Sequence, residues 1–442
     1  LTGGEHLIQG ILQINGLKAE GKKKKKKKRG RREMEGRSIV PRRTTPSPPL
    51  PIPTPKPLKT QRFSPRRSYF PPNPNNSHAS SRKRTTHVDE QAFLEMRSKG
   101  SVLDVVTMSE MMLCYAENGF LSEARGLWDE VLASSLPPFR VEVVSRMFDA
   151  YAQAGLLEEV VELVRELRSR GFKTKCLFPK VYVLAVSCFG RGGRLDLLEC
   201  ALREMVEAGY AVDSVTGNAF VKYYSLYGSM KEMEDSYARL KSSRCLIEEE
   251  GIRAVSFAYL KENKFYKLGE FLRDVGLGRR NTGNLLWNLL LLSYAANFKM
   301  KSLQREFLCM LDAGFRPDVT TFNIRMLAFS KMSMMWDLHL SLEHMKVEMV
   351  VPDLVTYGCV VDAYLDRRLG KNLDFALDKM NKDESPVVQT DPFVFLALGK
   401  GDFHVNAEAF MEYTVNKKWT YRDLVAIYLR KQYRSDQVFW NY

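Results

Sequence analysis

Gly314-Phe315-Arg316-Pro317-Asp318-Val319-Thr320-Thr321-Phe322-Asn323 decides the fold. A helical apolar pattern runs into Met310 and stops at Gly314. Pro317 forbids its continuation, and Asp318 is a residue type that caps a following helix. Thirty-five residues on, Val351-Pro352-Asp353-Leu354-Val355-Thr356-Tyr357 repeats the arrangement. The same phase places unit starts near Val105, Val141, Pro179, Ser214, Glu249, Asn284, Val319 and Leu354. Only the spare residue Arg140 and the stretch from Cys176 to Phe178 interrupt the count. A half unit, Phe93 to Asp104, precedes it. A supersecondary unit copied head to tail at this period predicts a helical solenoid.

Each unit reads as two helices. The first carries an apolar stripe such as Phe322, Met326 and Phe329, and the second another such as Leu156, Val160, Leu163, Val164 and Leu167. Gly119, Gly155, Gly193 and Gly228 stand at the turn between them, where a left-handed residue ends a helix. Gly171, Gly209 and Gly314 close the second helix. One hairpin leaves an apolar face bare, so neighbours must stack to bury it. Residues 391–442 read as a helical cap on the last unit, through Val394–Leu398 and Leu424–Leu429, with a docking surface as the other reading.

Charge is unevenly distributed. Residues 1–88 hold 22 Lys+Arg and 4 Asp+Glu, a net of +18, against +15 for the whole chain. Residues 89–442 therefore net −3, and overall basicity says nothing about partners of the repeats. Lys22 to Lys28 is a run of seven lysines, which repels itself. It is read here as upstream sequence foreign to the natural protein, a nuclear signal or nucleic-acid arm being the other reading. From Gly36 to Val88 there are 11 Lys+Arg, no acid, and many Ser, Thr and Pro. That is the composition of an organellar transit peptide beginning about Met34. The prolines between Pro46 and Pro57 forbid a long amphipathic helix and favour a plastid over a mitochondrion. Residues 1–88 are thus expected to be a disordered basic tail, and 89–390 the repeat array.

Seven scattered cysteines without Cys-x-x-Cys read as core thiols in a reducing compartment. No apolar run reaches 18 residues, so no membrane span is expected. The six histidines make neither His-Glu-x-x-His nor a metal spacing. His339 and His344 are five apart and read as surface or edge residues. Gly190-Arg191-Gly192-Gly193 lacks the Lys-Ser/Thr of a phosphate loop. The chain is therefore read as a non-enzyme without a cofactor.

Asp318-Val319-Thr320-Thr321-Phe322-Asn323, Asp353-Leu354-Val355-Thr356-Tyr357, and Glu204-Met205 with Gly209 resemble the pentatricopeptide repeat. The resemblance covers residues 89 to about 388. It is strong at 179–248 and 284–364, and poor at 249–283, where Asn263 replaces the turn glycine. It implies an all-α, right-handed superhelical solenoid of about eight stacked helix-turn-helix repeats, of the P-class, acting as a monomer. Members bind single-stranded RNA, about one base per repeat, through the fifth and the last residue of each. Asn288 with Asp318, and Asn323 with Asp353, then resemble the pair used for uracil. Asn218 closes with Glu248, Ser109 with Phe139, Ser145 with Lys175, and Val183 sits opposite Asp213. Arg253 with Gly283 and Gly358 with Val388 do not read.

The resemblance implies single-stranded organellar RNA as partner, alongside other RNA-processing proteins. The expected role is transcript maturation in the chloroplast: group II intron splicing, RNA stabilisation or translation. A protein scaffold with repeats that no longer read RNA is the alternative. Replacing Asn288 and Asn323 by alanine is expected to weaken binding to uracil and to leave melting nearly unchanged. The polar residues have a second reading throughout, as helix caps.

Overall fold

A computed structural model describes residues 95, 96, 98, 104–133, 140–169, 177–413 and 417–435. The basic run and the transit-peptide reading fall outside these residues, as do Phe139 and Lys175. All the described residues lie within one unit, 78–442. They form nineteen α-helices and, among the described residues, no strand. No helix among them is long and apolar enough to cross a membrane.

Eight helix pairs follow one another. They are α1 (Val105–Glu117) with α2 (Leu121–Ala133), α3 (Val141–Gln153) with α4 (Leu157–Ser169), and α5 (Leu177–Arg191) with α6 (Leu195–Glu207). Next come α7 (Ser214–Tyr227) with α8 (Met230–Ser242), α9 (Glu249–Lys261) with α10 (Phe265–Val275), and α11 (Leu285–Ala296) with α12 (Met300–Asp312). The last are α13 (Val319–Lys331) with α14 (Met335–Val347), and α15 (Leu354–Asp366) with α16 (Gly370–Leu377). Helix starts coincide with the sequence register at Val105, Val141, Ser214, Glu249, Val319 and Leu354. Asn284 is the cap residue of α11. α5 begins two residues before Pro179, which its first turn tolerates because the missing N–H has no partner to lose there.

Aspartate starts the best-formed first helices. Asp104, Asp213, Asp318 and Asp353 each accept the backbone N–H of a threonine three residues on: Thr107, Thr216, Thr321 and Thr356. Gly119, Gly155 and Gly193 take φ of 87°, 78° and 71° at the intra-pair turn. Gly228 has φ −82°, and Ser229 opens α8 through a capping box with Glu232 instead. Asn263, in the glycine position of the poorly matching unit, is left-handed at φ 54°.

Direct stacking of first helices runs α1–α3–α5–α7–α9 and resumes α11–α13–α15. It lapses between α9 and α11, in the unit that matched the repeat pattern poorly. There α10 has 11 residues where most second helices have 13, and a 3₁₀ turn, Arg280–Thr282, leads into α11. α17 (Phe393–Leu398) lies instead across α9, α11 and α13. Beyond it, α18 (Asp402–Tyr413) packs on α15, and α19 (Tyr421–Ser435) on α18 and α15. Tyr421 stacks on Tyr357 with centroids 3.8 Å apart. Residues after Met380 thus do two things. The last two helices stack at the end of the array, and the segment before them runs back along the first helices.

One expectation changes. Of the six described cysteines only Cys188 and Cys359 are buried, and Cys309 is exposed. His339 and His344, read as surface or edge residues, are half-buried. His339 bonds the Tyr364 hydroxyl, and His344 meets Phe307 and Phe322 edge-on. Burial lowers both imidazole pKa values.

Candidate functional site

The repeat phase puts an asparagine on the first turn of α11 and again on α13. The aspartate that caps the next first helix lies within its reach. The Asn288 amide donates to both carboxylate oxygens of Asp318, at 3.1 and 3.2 Å. Its carbonyl accepts from the Thr321 hydroxyl at 2.6 Å. Asp318 also accepts from Asn284 at 3.0 Å. One repeat on, Asn323 donates to Asp353 at 2.8 Å, and its carbonyl accepts from the Thr356 hydroxyl at 2.8 Å. Two polar pairs recur in one geometry because residue and cap are both fixed by the period.

The two sites differ in what surrounds them. Asn288 lines a cavity of about 240 Å³ with Asp318, Thr320, Arg253, Asp391 and Phe393. Asn323 and Asp353 are 0% and 1% exposed. A second segment of the chain fills that position. The Thr390 hydroxyl and N–H donate to Asp353 at 2.7 and 3.1 Å, and Gln389 N–H donates to it at 3.0 Å. Asn323 donates to the Thr390 hydroxyl oxygen at 2.7 Å.

The remaining sequence candidates do not assemble into such pairs. Asn218 is buried and bonds backbone: its amide donates to Ser214 and Leu246 carbonyls, and its carbonyl accepts Glu248 N–H at 2.7 Å. Asp213 caps α7, accepting from both the N–H and the hydroxyl of Thr216. Ser109 is buried on α1, and Ser145 is half-buried on α3; the partners expected for them lie outside the described residues. Arg253, which did not read as a base contact, has a clear role. It bonds Glu249 at 3.0 Å and Asp391 at 2.7 Å. The sequence held no local signal for the second partner.

Two basic residues on the first helices, Lys222 on α7 and Arg325 on α13, are engaged. Lys222 pairs with Glu250 at 2.7 Å. Arg325 stacks 3.8 Å over Phe307, and burial pushes its pKa down to about 10. Among the described residues no cluster of His, Cys, Asp or Glu is arranged to hold a metal.

The PPR repeat family model matches residues 106–136 and 143–172. These are units whose candidate pairs are weak, rather than the stretches where the sequence resemblance is best. A model for a domain of unknown function, DUF3824, matches residues 11–93. The chain is 30% identical over 181 residues to a chloroplastic pentatricopeptide repeat-containing protein of Arabidopsis thaliana, covering 39% of this chain and 36% of that one. It is 33% identical over 107 residues to a second such Arabidopsis thaliana protein, covering 24% and 14%. The matched part thus spans little more than a third of the first relative and about a seventh of the second. Solved structures similar to the chain include that of pentatricopeptide repeat protein PPR10 from maize, at 17% identity and TM-score 0.39, covering 66% of this chain and 45% of that one. PPR10 in complex with an 18-nt psaJ RNA element gives 17%, TM-score 0.43, 78% and 49%.

Proposed function

We propose that this chain, which belongs to the pentatricopeptide repeat family, binds single-stranded RNA in a plant plastid. As a P-class member it would support transcript maturation by occupying RNA: aiding group II intron splicing, guarding an end, or holding a leader open. The observation that carries the reading is the Asn288–Asp318 pair. It is polar, set by the repeat register, and borders a cavity large enough for a pyrimidine ring. Where a base edge displaces their mutual hydrogen bonds, the amide supplies a donor and the carboxylate an acceptor to that edge. The name of the chloroplastic relative and the acid-free, Arg- and Ser-rich stretch from Gly36 to Val88 support the plastid.

The test is fluorescence anisotropy with short single-stranded RNAs that contain or lack uracil. Asn288→Ala is expected to weaken the uracil-containing ligand about tenfold, within the ~1–3 kcal/mol that a good bidentate base contact supplies in nucleic-acid readout. Absence of any single-strand binding by the unaltered chain refutes the reading.

A protein scaffold is the second reading, and a specific observation favours it. Lys222 and Arg253, on the first helices α7 and α9, are tied to carboxylates. The array is also net negative, so it lacks the phosphate neutralisation that drives non-specific binding. Recovery from plastid extract of a stoichiometric protein partner and no enriched transcript would decide for the scaffold.

A further inference from the structure

We propose that residues 387–393 are a fixed occupant of the Asn323–Asp353 position, with Thr390 standing where a base edge would bond. Base-specific contact by a bound RNA then stops at Asn288 and Asp318. The inference rests on the RNA reading given above.

The chemistry is that of base recognition turned inward. Thr390 gives Asp353 two donors, its hydroxyl and its N–H, and accepts one hydrogen bond from Asn323. Uracil would meet the same pair in the same sense, with one N–H donor beside carbonyl acceptors. Thr390 is 3% exposed, so no second ligand fits beside it.

The segment is tied on both sides of Thr390. Before it, the Val387 carbonyl accepts Leu354 N–H at 2.9 Å, and Val387 N–H donates to the Tyr421 hydroxyl at 3.2 Å. After it, Asp391 N–H donates to the Thr320 hydroxyl at 3.0 Å, and the Asp391 carboxylate holds Arg253 across 138 residues of sequence. Arg253 also lies 5.6 Å from the centre of the Phe393 ring. Val394 and Leu398 are 1% and 3% exposed. Withdrawal would break all these contacts and leave the Asp353 carboxylate short of three donors. The position also has a structural cause. The first helices α9 and α11 do not stack directly, and α17 lies across them, bringing Thr390 to the next site along.

The full chain, Thr390→Val and Asn288→Ala are each used to select from a randomised single-stranded RNA pool. Amide exchange of Gln389 and Thr390 is followed with and without the selected RNA. The expected result is a motif with one specified uracil at one end, lost in Asn288→Ala. Thr390→Val should keep that motif with affinity unchanged within twofold, and the two amides should stay protected when RNA is added. Two adjacent specified uracils at that end in the unaltered chain would overturn the proposal. So would at least fivefold tighter binding by Thr390→Val, or amides that lose protection on RNA addition, since either means that the segment competes with RNA and leaves. No enriched motif with any of the three proteins refutes the RNA reading itself and takes the proposal with it. That outcome differs from all the others.

Discussion

Asn323→Ala, set against Asn288→Ala, separates a polar junction closed over by the chain from one that borders a cavity. Asn323 is fully buried and makes three hydrogen bonds, to Asp353, Thr390 and Thr356. Truncation removes one donor from a carboxylate that is 1% exposed and takes one partner from each of the Thr356 and Thr390 hydroxyls, which keep their bonds to Asp353. A hydrogen bond to a charged group contributes ~1.5–3 kcal/mol, and an unsatisfied buried group costs ~1–3 kcal/mol. Asp353 still accepts from Val355, Thr356, Gln389 and Thr390. The sum therefore stays near the low end, at about 3 kcal/mol. Asn288→Ala is the matched control. Asn288 borders the cavity, so water can reach Asp318 when the amide is gone, and the cost falls to about 1 kcal/mol. The sequence alone predicts unchanged melting for both; the structure keeps that expectation roughly for Asn288 and reverses it for Asn323. Urea unfolding followed by circular dichroism and by tryptophan fluorescence measures the difference. Two probes are needed because a repeat array can unfold in parts. A difference between the variants below about 0.5 kcal/mol, the usual scale of an inconsequential surface change, refutes the reasoning.

Asp362 carries a pH dependence. Burial pushes its carboxyl up to about 7, while Phe403 N–H bonds one oxygen. The folded chain therefore holds an extra proton between about pH 4 and 7; the group's stabilisation is full below that window and is lost as pH rises through it. Asp362→Asn should raise the melting temperature at pH 8, by up to roughly 4 kcal/mol of stability, with the gain shrinking toward pH 5; a gain independent of pH refutes this. Gly190 lets α5 approach α7, since a Cβ there would fall inside the Tyr223 ring. Gly190→Ala is expected to cost about 1–3 kcal/mol in urea unfolding, and no loss would mean that the two helices slide apart freely. Arg325→Met exchanges a buried guanidinium stacked on Phe307 for an apolar chain of similar length. Stability should stay within about 1 kcal/mol, because the lost stacking is offset by charge desolvation avoided; a loss above about 3 kcal/mol would show a paired charge.

The repeat register was legible because it is local. Proline, aspartate and glycine act on the chain within a few residues of themselves, and the threonine three residues after each capping aspartate is written in the same stretch. Only two first helices depart from the register, by one or two residues, and each has a proline or a capping residue at its start. The Asn–Asp pairs were legible for the same reason. What the sequence did not carry is the return of residues 387–398 to the first-helix face. The Arg253–Asp391 and Asn323–Thr390 contacts join residues 138 and 67 apart, and no periodic pattern encodes such separations. One indirect signal was present. The unit at 249–283 lost its turn glycine and its Pro-Asp joint, and there the first helices do not stack directly.

Capping and reading need not be rival roles for these residues. A capping aspartate must present its carboxylate to the first turn of its own helix. The repeat then sets that carboxylate beside the asparagine of the preceding first helix, whichever role it serves. At Asp318 an oxygen that accepts Thr321 N–H at 2.8 Å also faces Asn288. At Asp353 the same arrangement accepts Thr390. The cap fixes the carboxylate in place and the asparagines complete its bonding: Asp318 accepts from Asn284, Asn288 and the Thr321 N–H and hydroxyl, so a ligand edge must take over one of these bonds from a preorganised acceptor. Whether such a site reads RNA is then decided by what lies against it. At Asp353 it is the chain's own Thr390, whereas beside Asn288 and Asp318 it is a cavity.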